Sequence, residues 1–251
     1  MLPAFGMTTS TAPSGEAAER PSVNQLRQAA IFNELGDDVI DRLMRLSTLI
    51  SAPEGTEICR QGAPADRLFV LLEGQVVLAN ANTHGSNTVV EVVPPGGHFL
   101  LSAVLSGLPH LMSARSVTTA RLIAVESDGL RALLHQEISL ATAMLRAEAV
   151  DFGAMVRQIC DLKLRTTAQR LGCYLLKLSD NAEANTVSLR LPFDKRLLAA
   201  RLGCRQENLS RAFAALRSLG VETHGARVIL HDIASLRTYA IPDDSAEFDA
   251  G

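Results

Sequence analysis

Apolar positions recur along this chain with more than one period, and each period predicts a different kind of structure. From Val23 the spacing is helical: Leu26, Ala30, Phe32 and Leu35, then Val39, Ile40, Leu43, Leu46 and Leu49, mark two helices split by Gly36. From Glu54 to about Val125 short apolar runs alternate with glycine and proline, the rhythm of an all-β sandwich or roll. Leu68 to Leu72 and Val76 to Leu78 read as strands joined at Glu73-Gly74, and Val89 to Val93 as a strand ended by Pro94-Pro95-Gly96-Gly97. Helical spacing then returns, in a short helix from Ser127 to His135 and a long one from about Ile138 to Leu164. Along the long helix Ala141, Leu145, Glu148, Phe152, Met155, Ile159 and Leu162 alternate in steps of four and three, the spacing of a coiled-coil seam.

A lone long helix with such a seam calls for a partner rather than for packing within one domain. Homodimerisation through Leu145, Glu148, Phe152, Met155, Ile159 and Leu162 is therefore expected, with Glu148 a polar interruption that either fixes register or marks a functional contact. A further helix from about Thr166 to Leu178 turns Ala168, Leu171, Leu175 and Leu178 inward, and Val187 to Leu191 reads as a strand. After Pro192-Phe193-Asp194 comes a helix with Leu197, Leu198 and Leu202 on one face and Asp194 as its cap, then Gly203 as a turn. A second helical run follows from Arg205 to Leu219, with Leu209, Phe213 and Leu216 as its buried stripe. That stripe leaves Gln206, Glu207, Ser210 and Arg211 facing outward. Val221 to His224 and Arg227 to His231 flank Gly225-Ala226 as a hairpin. The ends lack a period: Met1 to about Pro21 reads as loosely attached, and Ile241 to Gly251 as an acidic tail. Together these give an α+β chain divided at 1–22, 23–137, 138–164, 165–240 and 241–251.

Charge singles out the helix pair. Between Asp194 and Arg217 stand six basic residues and two acidic ones, a net +4 within a chain of formal charge −3. A basic element on a mildly acidic protein suits a polyanionic partner. The 251 residues, 47% apolar, are enough to bury a sizeable core in two domains. No apolar run approaches the roughly 20 residues that span a bilayer, and a cytoplasmic protein with no membrane partner is expected. Cys59, Cys160, Cys173 and Cys204 lie far apart without a CxxC pair, which fits reduced thiols better than a zinc or disulfide framework.

The run Gly203-Cys204-Arg205-Gln206-Glu207-Asn208-Leu209-Ser210-Arg211 resembles the recognition segment of the bacterial Crp/Fnr transcription regulators, particularly the Fnr and Dnr branches with their Glu-x-x-Ser-Arg. Glu54-Gly55 through Gln61-Gly62, then Leu68 to Gly74, then Gly97-His98-Phe99, are similar to the sensory β-roll of that family. The resemblance spans about Leu26 to Tyr239. It implies a cyclic-nucleotide-binding-like roll, a dimerisation helix and a winged helix–turn–helix whose wing is the hairpin after Gly220. It also implies a homodimer on a palindromic, Fnr-like double-stranded DNA site, with RNA polymerase as a further partner. Under this reading Lys195, Arg205, Gln206, Glu207, Ser210 and Arg211 contact DNA.

The same resemblance puts the effector in question. Relatives that bind cyclic nucleotides carry Gly-Glu after this phenylalanine and an Arg-Ser pair later; here the matching stretches are Phe99-Leu100-Leu101-Ser102 and Leu111-Met112-Ser113. A phosphate buried without an arginine or an amide nest stays uncompensated, so cyclic AMP is not expected. An apolar or planar effector is expected instead, lined by Phe69, Leu71, Phe99, Leu100, Leu101, Met112 and Ser113. Haem sensing nitric oxide, carbon monoxide or oxygen is the leading candidate, with His98 or His110 near the rim, although His84, His98, His110 and His135 each read singly as loop or surface residues. An iron–sulfur cluster is not expected, since the amino terminus has no cysteine. Two alternatives stay open: a regulator whose roll has lost its ligand or binds another small molecule, and an enzyme using the roll as a substrate site. No nucleophile–base pair, phosphate loop or paired carboxylate motif supports catalysis.

Overall fold

The computed structural model describes residues 19–81, 87–179, 186–191 and 194–240. His84, Pro192, Phe193, residues 1–18 and the expected tail at 241–251 lie outside them. Ser22 opens helix α1 (Val23–Arg27) through a reciprocal cap, in which the Gln25 N–H donates to Ser22 Oγ (3.3 Å) and the Ser22 N–H donates to Gln25 Oε1 (2.8 Å). The expected loose segment therefore ends earlier than residue 22: Pro21 is buried, and the Glu19 carbonyl accepts the Leu49 N–H at 2.7 Å. One 3-10 turn (Ala30–Phe32) separates α1 from α2 (Asp37–Arg45), and Ala30 is exposed rather than inward.

Leu49, read as helical from its spacing, belongs to strand β1 (Ser47–Ala52), so the roll begins before Glu54. The Ser47 hydroxyl donates to the Leu43 carbonyl at 2.6 Å and ends the helix there. Seven more strands follow: β2 (Glu57–Cys59), β3 (Arg67–Glu73), β4 (Val76–Ala81), β5 (Asn87–Val93), β6 (His98–Phe99), β7 (Ser113–Ser116) and β8 (Ala120–Glu126). They form two antiparallel sheets, ordered β1-β8-β3-β6 and β2-β7-β4-β5. Although consecutive, β3 and β4 lie in different sheets. Gly74 makes that crossing at φ +90°, where a Cβ would meet the Thr119 carbonyl at 2.4 Å.

Strand β3 is buried on both faces, which accounts for its unbroken apolar run. Phe69 and Leu71 point between the sheets with Val76, Leu78, Phe99, Ala114 and Leu122. Leu68, Val70 and Leu72 point the other way, into a second core with Leu26, Phe32, Ile40 and Leu43. That core also takes in α3 (Leu101–Ser106), which interrupts the roll after β6, and α4 (Ser127–Leu134). Helix α5 (Ile138–Leu164) starts beside the Arg42–Glu137 ion pair and drives Leu140 and Met144 into the same core.

The chain divides into two compact units between Gly153 and Ala154, inside α5. The second unit holds α6 (Thr167–Leu178), β9 (Val187–Arg190), α7 (Lys195–Arg201), α8 (Gln206–Leu216), a 3-10 turn (Arg217–Leu219), β10 (Val221–His224), β11 (Arg227–Leu230) and α9 (Ile233–Ala240). The recognition run expected to be one helix to Leu219 is thus an eleven-residue helix and a 3-10 turn, with Arg205 outside it as the N-cap. Strands pair in the order β10-β11-β9, Val221 opposite Leu230 and Val228 opposite Leu189. Leu171, Leu175, Leu198, Leu209, Leu216 and Leu236 meet in one core, where truncating a fully buried leucine costs about 2–5 kcal/mol.

Candidate DNA-reading and effector surfaces

Two local signals fix the angle between α7 and α8. At the start of α7 the Leu197 N–H donates to Asp194 Oδ1 at 2.8 Å. At its end the Cys204 N–H donates to the Ala199 carbonyl and the Gly203 N–H to the Ala200 carbonyl, both at 2.9 Å. That pair of bonds is a Schellman closure, which needs a left-handed residue between them, and Gly203 supplies it at φ +61°. Leu198 and Leu202 are buried while Leu197 is only half-buried, so the inward face of α7 is narrower than its spacing predicts.

Leu209, Phe213 and Leu216 are buried in α8, and Gln206, Glu207, Ser210 and Arg211 are exposed. The Ser210 hydroxyl donates to the Gln206 carbonyl at 3.1 Å. Arg205 makes no side-chain cap, so the amide hydrogens of the first turn of α8 face outward with the positive end of the helix dipole. Lys195 is exposed on α7 and holds its Nζ 5.5 Å from the centre of the Phe213 ring, a cation–π contact between the two helices.

On α5 the sequence seam is an uncovered face. Leu145 is 71% exposed and Phe152 62%, and Met155, Val156, Ile159 and Leu162 are all exposed. Leu162 has a second role: a Cβ on Gly203 would lie 2.5 Å from its Cδ2, so the side chain fills the space beside the turn. Glu148 is half-buried, and its carboxyl is raised above the ordinary range, first by burial and then by Asp151.

Inside the roll Phe69 and Phe99 stack with ring centroids 5.4 Å apart, and Leu71, Leu100 and half-buried Met112 join them. Three expected lining residues are elsewhere. Leu101 belongs to the helical core, since α3 begins there and turns it away. Ser113 accepts the Gln61 N–H at 2.9 Å on the face of β7 opposite Ala114. His98 alternates with inward Phe99, so it leaves the roll and meets Asp151 on α5, Nε2 to Oδ2 at 3.0 Å; it does not rim the interior. His135 is exposed at the end of α4. Among the described candidate histidines His110 is the buried one, its Nδ1 without a partner among the described residues, and its pKa is lowered, first by burial. Burial also pushes the Cys59 thiol up to about 12.

Two family models match this chain: the cyclic nucleotide-binding domain over residues 49–137, and the Crp-like helix-turn-helix domain over 169–239. A solved protein of Ruegeria pomeroyi, described as a cyclic nucleotide binding protein, is 30% identical, with 88% of this chain and 97% of that chain covered and a TM-score of 0.59. This chain belongs to the Crp/Fnr family of transcription regulators. The Crp/Fnr protein is also 21% identical to the CRP-like cAMP-activated global transcriptional regulator of Mycobacterium tuberculosis, over 82% of its own length and 94% of the relative. It shares the fold of FixK2 from Bradyrhizobium japonicum at TM-score 0.65 and 21% identity, covering 76% and 96% of the two chains. It is a DNA-binding regulator with an effector-binding domain, not an enzyme. No helix among the described residues is long and apolar enough to cross a membrane.

Several residues that shape this Crp/Fnr regulator escaped the sequence reading. Arg170 on α6 donates from Nε to the Leu202 carbonyl at 3.0 Å and from Nη1 to the Arg165 carbonyl at 2.7 Å, holding the C-cap carbonyl of α7 at the turn. Nothing local in the sequence marks so distant a contact. Helix α9 did leave a signal: the Ser235 N–H donates to Asp232 Oδ1 at 2.9 Å, with Ile233, Leu236 and Ala240 at helical spacing. Leu100 starts α3 in the left-handed region, φ 61°, the lone non-glycine residue there among the described residues. A leucine in that region carries about 1–2 kcal/mol of strain.

Proposed function

We infer that the protein is a homodimer that reads a palindromic DNA site with α8 and is switched by an uncharged, apolar effector in the roll. The observation that carries the reading is the face of α8: a helix seated by Leu209, Phe213 and Leu216 presents Glu207, Ser210 and Arg211 outward, beside a turn fixed at both ends by hydrogen bonds. Arg211 can donate two hydrogen bonds to a guanine edge and Glu207 can accept from a cytosine amine, while Lys195 and Arg205 suit phosphates. Glu207-x-x-Ser210-Arg211 favours Fnr-like half-sites. The exposed face of α5 supports pairing, since covering half-exposed Leu, Phe, Met and Ile side chains returns about 1 kcal/mol apiece.

For the effector, Phe69, Leu71, Phe99 and Leu122 form an apolar cluster inside the roll, and Arg115, the cation on β7, alternates with inward Ala114 and so belongs to the opposite face of the strand. That arrangement supports an apolar ligand over a cyclic phosphate, notwithstanding the cAMP-activated relative. Haem is the planar candidate, with His110, buried and with its Nδ1 unpartnered among the described residues, as the imidazole for it in place of His98. A gel-shift on a palindromic Fnr-like site, with and without cyclic AMP, tests the reading. Specific binding as a dimer without cyclic-AMP enhancement is expected. Tightening by micromolar cyclic AMP would overturn the effector argument, and absence of a Soret band after haem reconstitution would remove haem alone.

A further inference from the structure

Only two residues, Arg165 and Thr166, separate the end of α5 at Leu164 from the start of α6 at Thr167. The half-buried guanidinium of Arg170 reaches that elbow and the recognition turn together. Its Nη1 donates to the Arg165 carbonyl at 2.7 Å, its Nη2 to Thr167 Oγ1 at 3.4 Å, and its Nε crosses to the Leu202 carbonyl at 3.0 Å. Leu202 is the C-cap of α7, where carbonyls run out of partners within the helix. Arg165 is tied back to α5 by its ion pair with Asp161. Leu162, also on α5, meets the same turn through Cδ2, the atom nearest a Cβ built on Gly203. The last turns of α5 thus reach the recognition turn by a polar and an apolar route, both inside the second compact unit. Because a guanidinium carries its donors in a rigid planar fork, the acceptors it holds cannot shift independently of one another.

We propose that Arg170 is a positioning residue that fixes α7 and α8 relative to the end of α5, and so sets the angle at which α8 meets base edges. This placement rests on the reading of α8 as the DNA-reading helix. Hydrogen bonds to base edges weaken steeply as their angles open, whereas attraction to phosphates is insensitive to small rotations. A loosened link therefore costs site preference before it costs affinity for DNA in general. In a homodimer each α8 is placed by the α5 of its own subunit, so the register of the two half-sites inherits the stiffness of this link.

Arg170→Lys keeps the charge but not the fork, and two assays on the full-length variant test the link. Amide exchange in peptides covering residues 200–206, where the Gly203 and Cys204 N–H groups close the turn, should be about tenfold faster than in the native protein. Peptides of the β10–β11 hairpin, whose strands bond to each other and to β9, should exchange as before. In competition binding, preference for a palindromic Fnr-like site over random DNA should fall about tenfold, with affinity for random DNA kept within about twofold. Equal acceleration in the turn and the hairpin overturns the proposal, since Arg170 would then only stabilise the fold. Unchanged exchange at the turn overturns it as well. Arg211→Ala, run alongside, tells two failures apart. Preference lost in Arg211→Ala but kept in Arg170→Lys overturns the positioning role and leaves the reading of α8 intact, whereas full preference in both overturns that reading and the positioning role with it. Should Arg170→Lys fail to fold, Arg170→Gln is measured in the same way, and native site preference in that variant overturns the proposal on its own.

Discussion

Gly203→Ala concentrates two costs at one position, and the structure lets them be separated. The backbone there is left-handed, φ +61°, which costs a residue with a Cβ about 1–2 kcal/mol. The new methyl would also lie 2.5 Å from Leu162 Cδ2, too close for any real contact. Because that atom is the tip of a flexible side chain, moving it off its rotamer costs about 0.5–1.5 kcal/mol rather than a backbone shift. The sum is about 1.5–3.5 kcal/mol. For a unit of this size that corresponds to a fall in melting temperature on the order of 10 °C or more, read by calorimetry as the transition of the DNA-reading unit. Adding Leu162→Ala should recover the contact part and leave the backbone part, so a double-mutant cycle should show a coupling near 1 kcal/mol. A loss below about 0.5 kcal/mol would refute the strain argument, and zero coupling would refute the role given to Leu162.

Three further outcomes follow from the same geometry. Arg211→Ala should lose about 1–3 kcal/mol of preference for the specific site in competition binding, whereas Lys195→Ala should weaken specific and random DNA alike; full site preference without Arg211 would remove α8 from the groove. Ile159→Glu places a charge in the proposed seam and should leave a folded monomer by sedimentation that no longer binds a palindrome; a dimer surviving at micromolar concentration would show that this face is not the interface. Glu148 has a carboxyl raised in the folded state, first by burial, so its contribution to stability is present below its unfolded pKa and lost as pH rises through the folded one. Glu148→Gln should therefore melt higher than the native protein at pH 7 and match it near pH 4, and equal melting at pH 7 would contradict the sign.

How far the sequence could be read depended on whether a position's neighbours were local. The helix pair at 194–216 was legible because its determinants are adjacent in the chain: Asp194 caps three residues on, and Gly203 closes bonds to Ala199 and Ala200. Leu49 was misread because Leu43, Leu46 and Leu49 keep helical spacing across the point where Ser47 ends the helix. Strands of two to four residues such as β2, β6 and β7 are too short to display a period. For β6 this hid the fact that matters most, namely which side His98 takes. That side follows from its register opposite Val70, a contact between residues far apart in the chain.

The long helix shows a subtler limit. Its period correctly marks one apolar face but does not say what covers each residue on it. Leu140 and Met144, near its start, belong to the core of the first unit, while Leu145 one residue later is exposed. At the other end Leu162 keeps the seam spacing yet fills the space beside Gly203. A partner helix that covered Leu162 would therefore touch the side chain against which the recognition turn is set, so substitutions there should alter pairing and the turn together, whereas Ile159 should report on pairing alone.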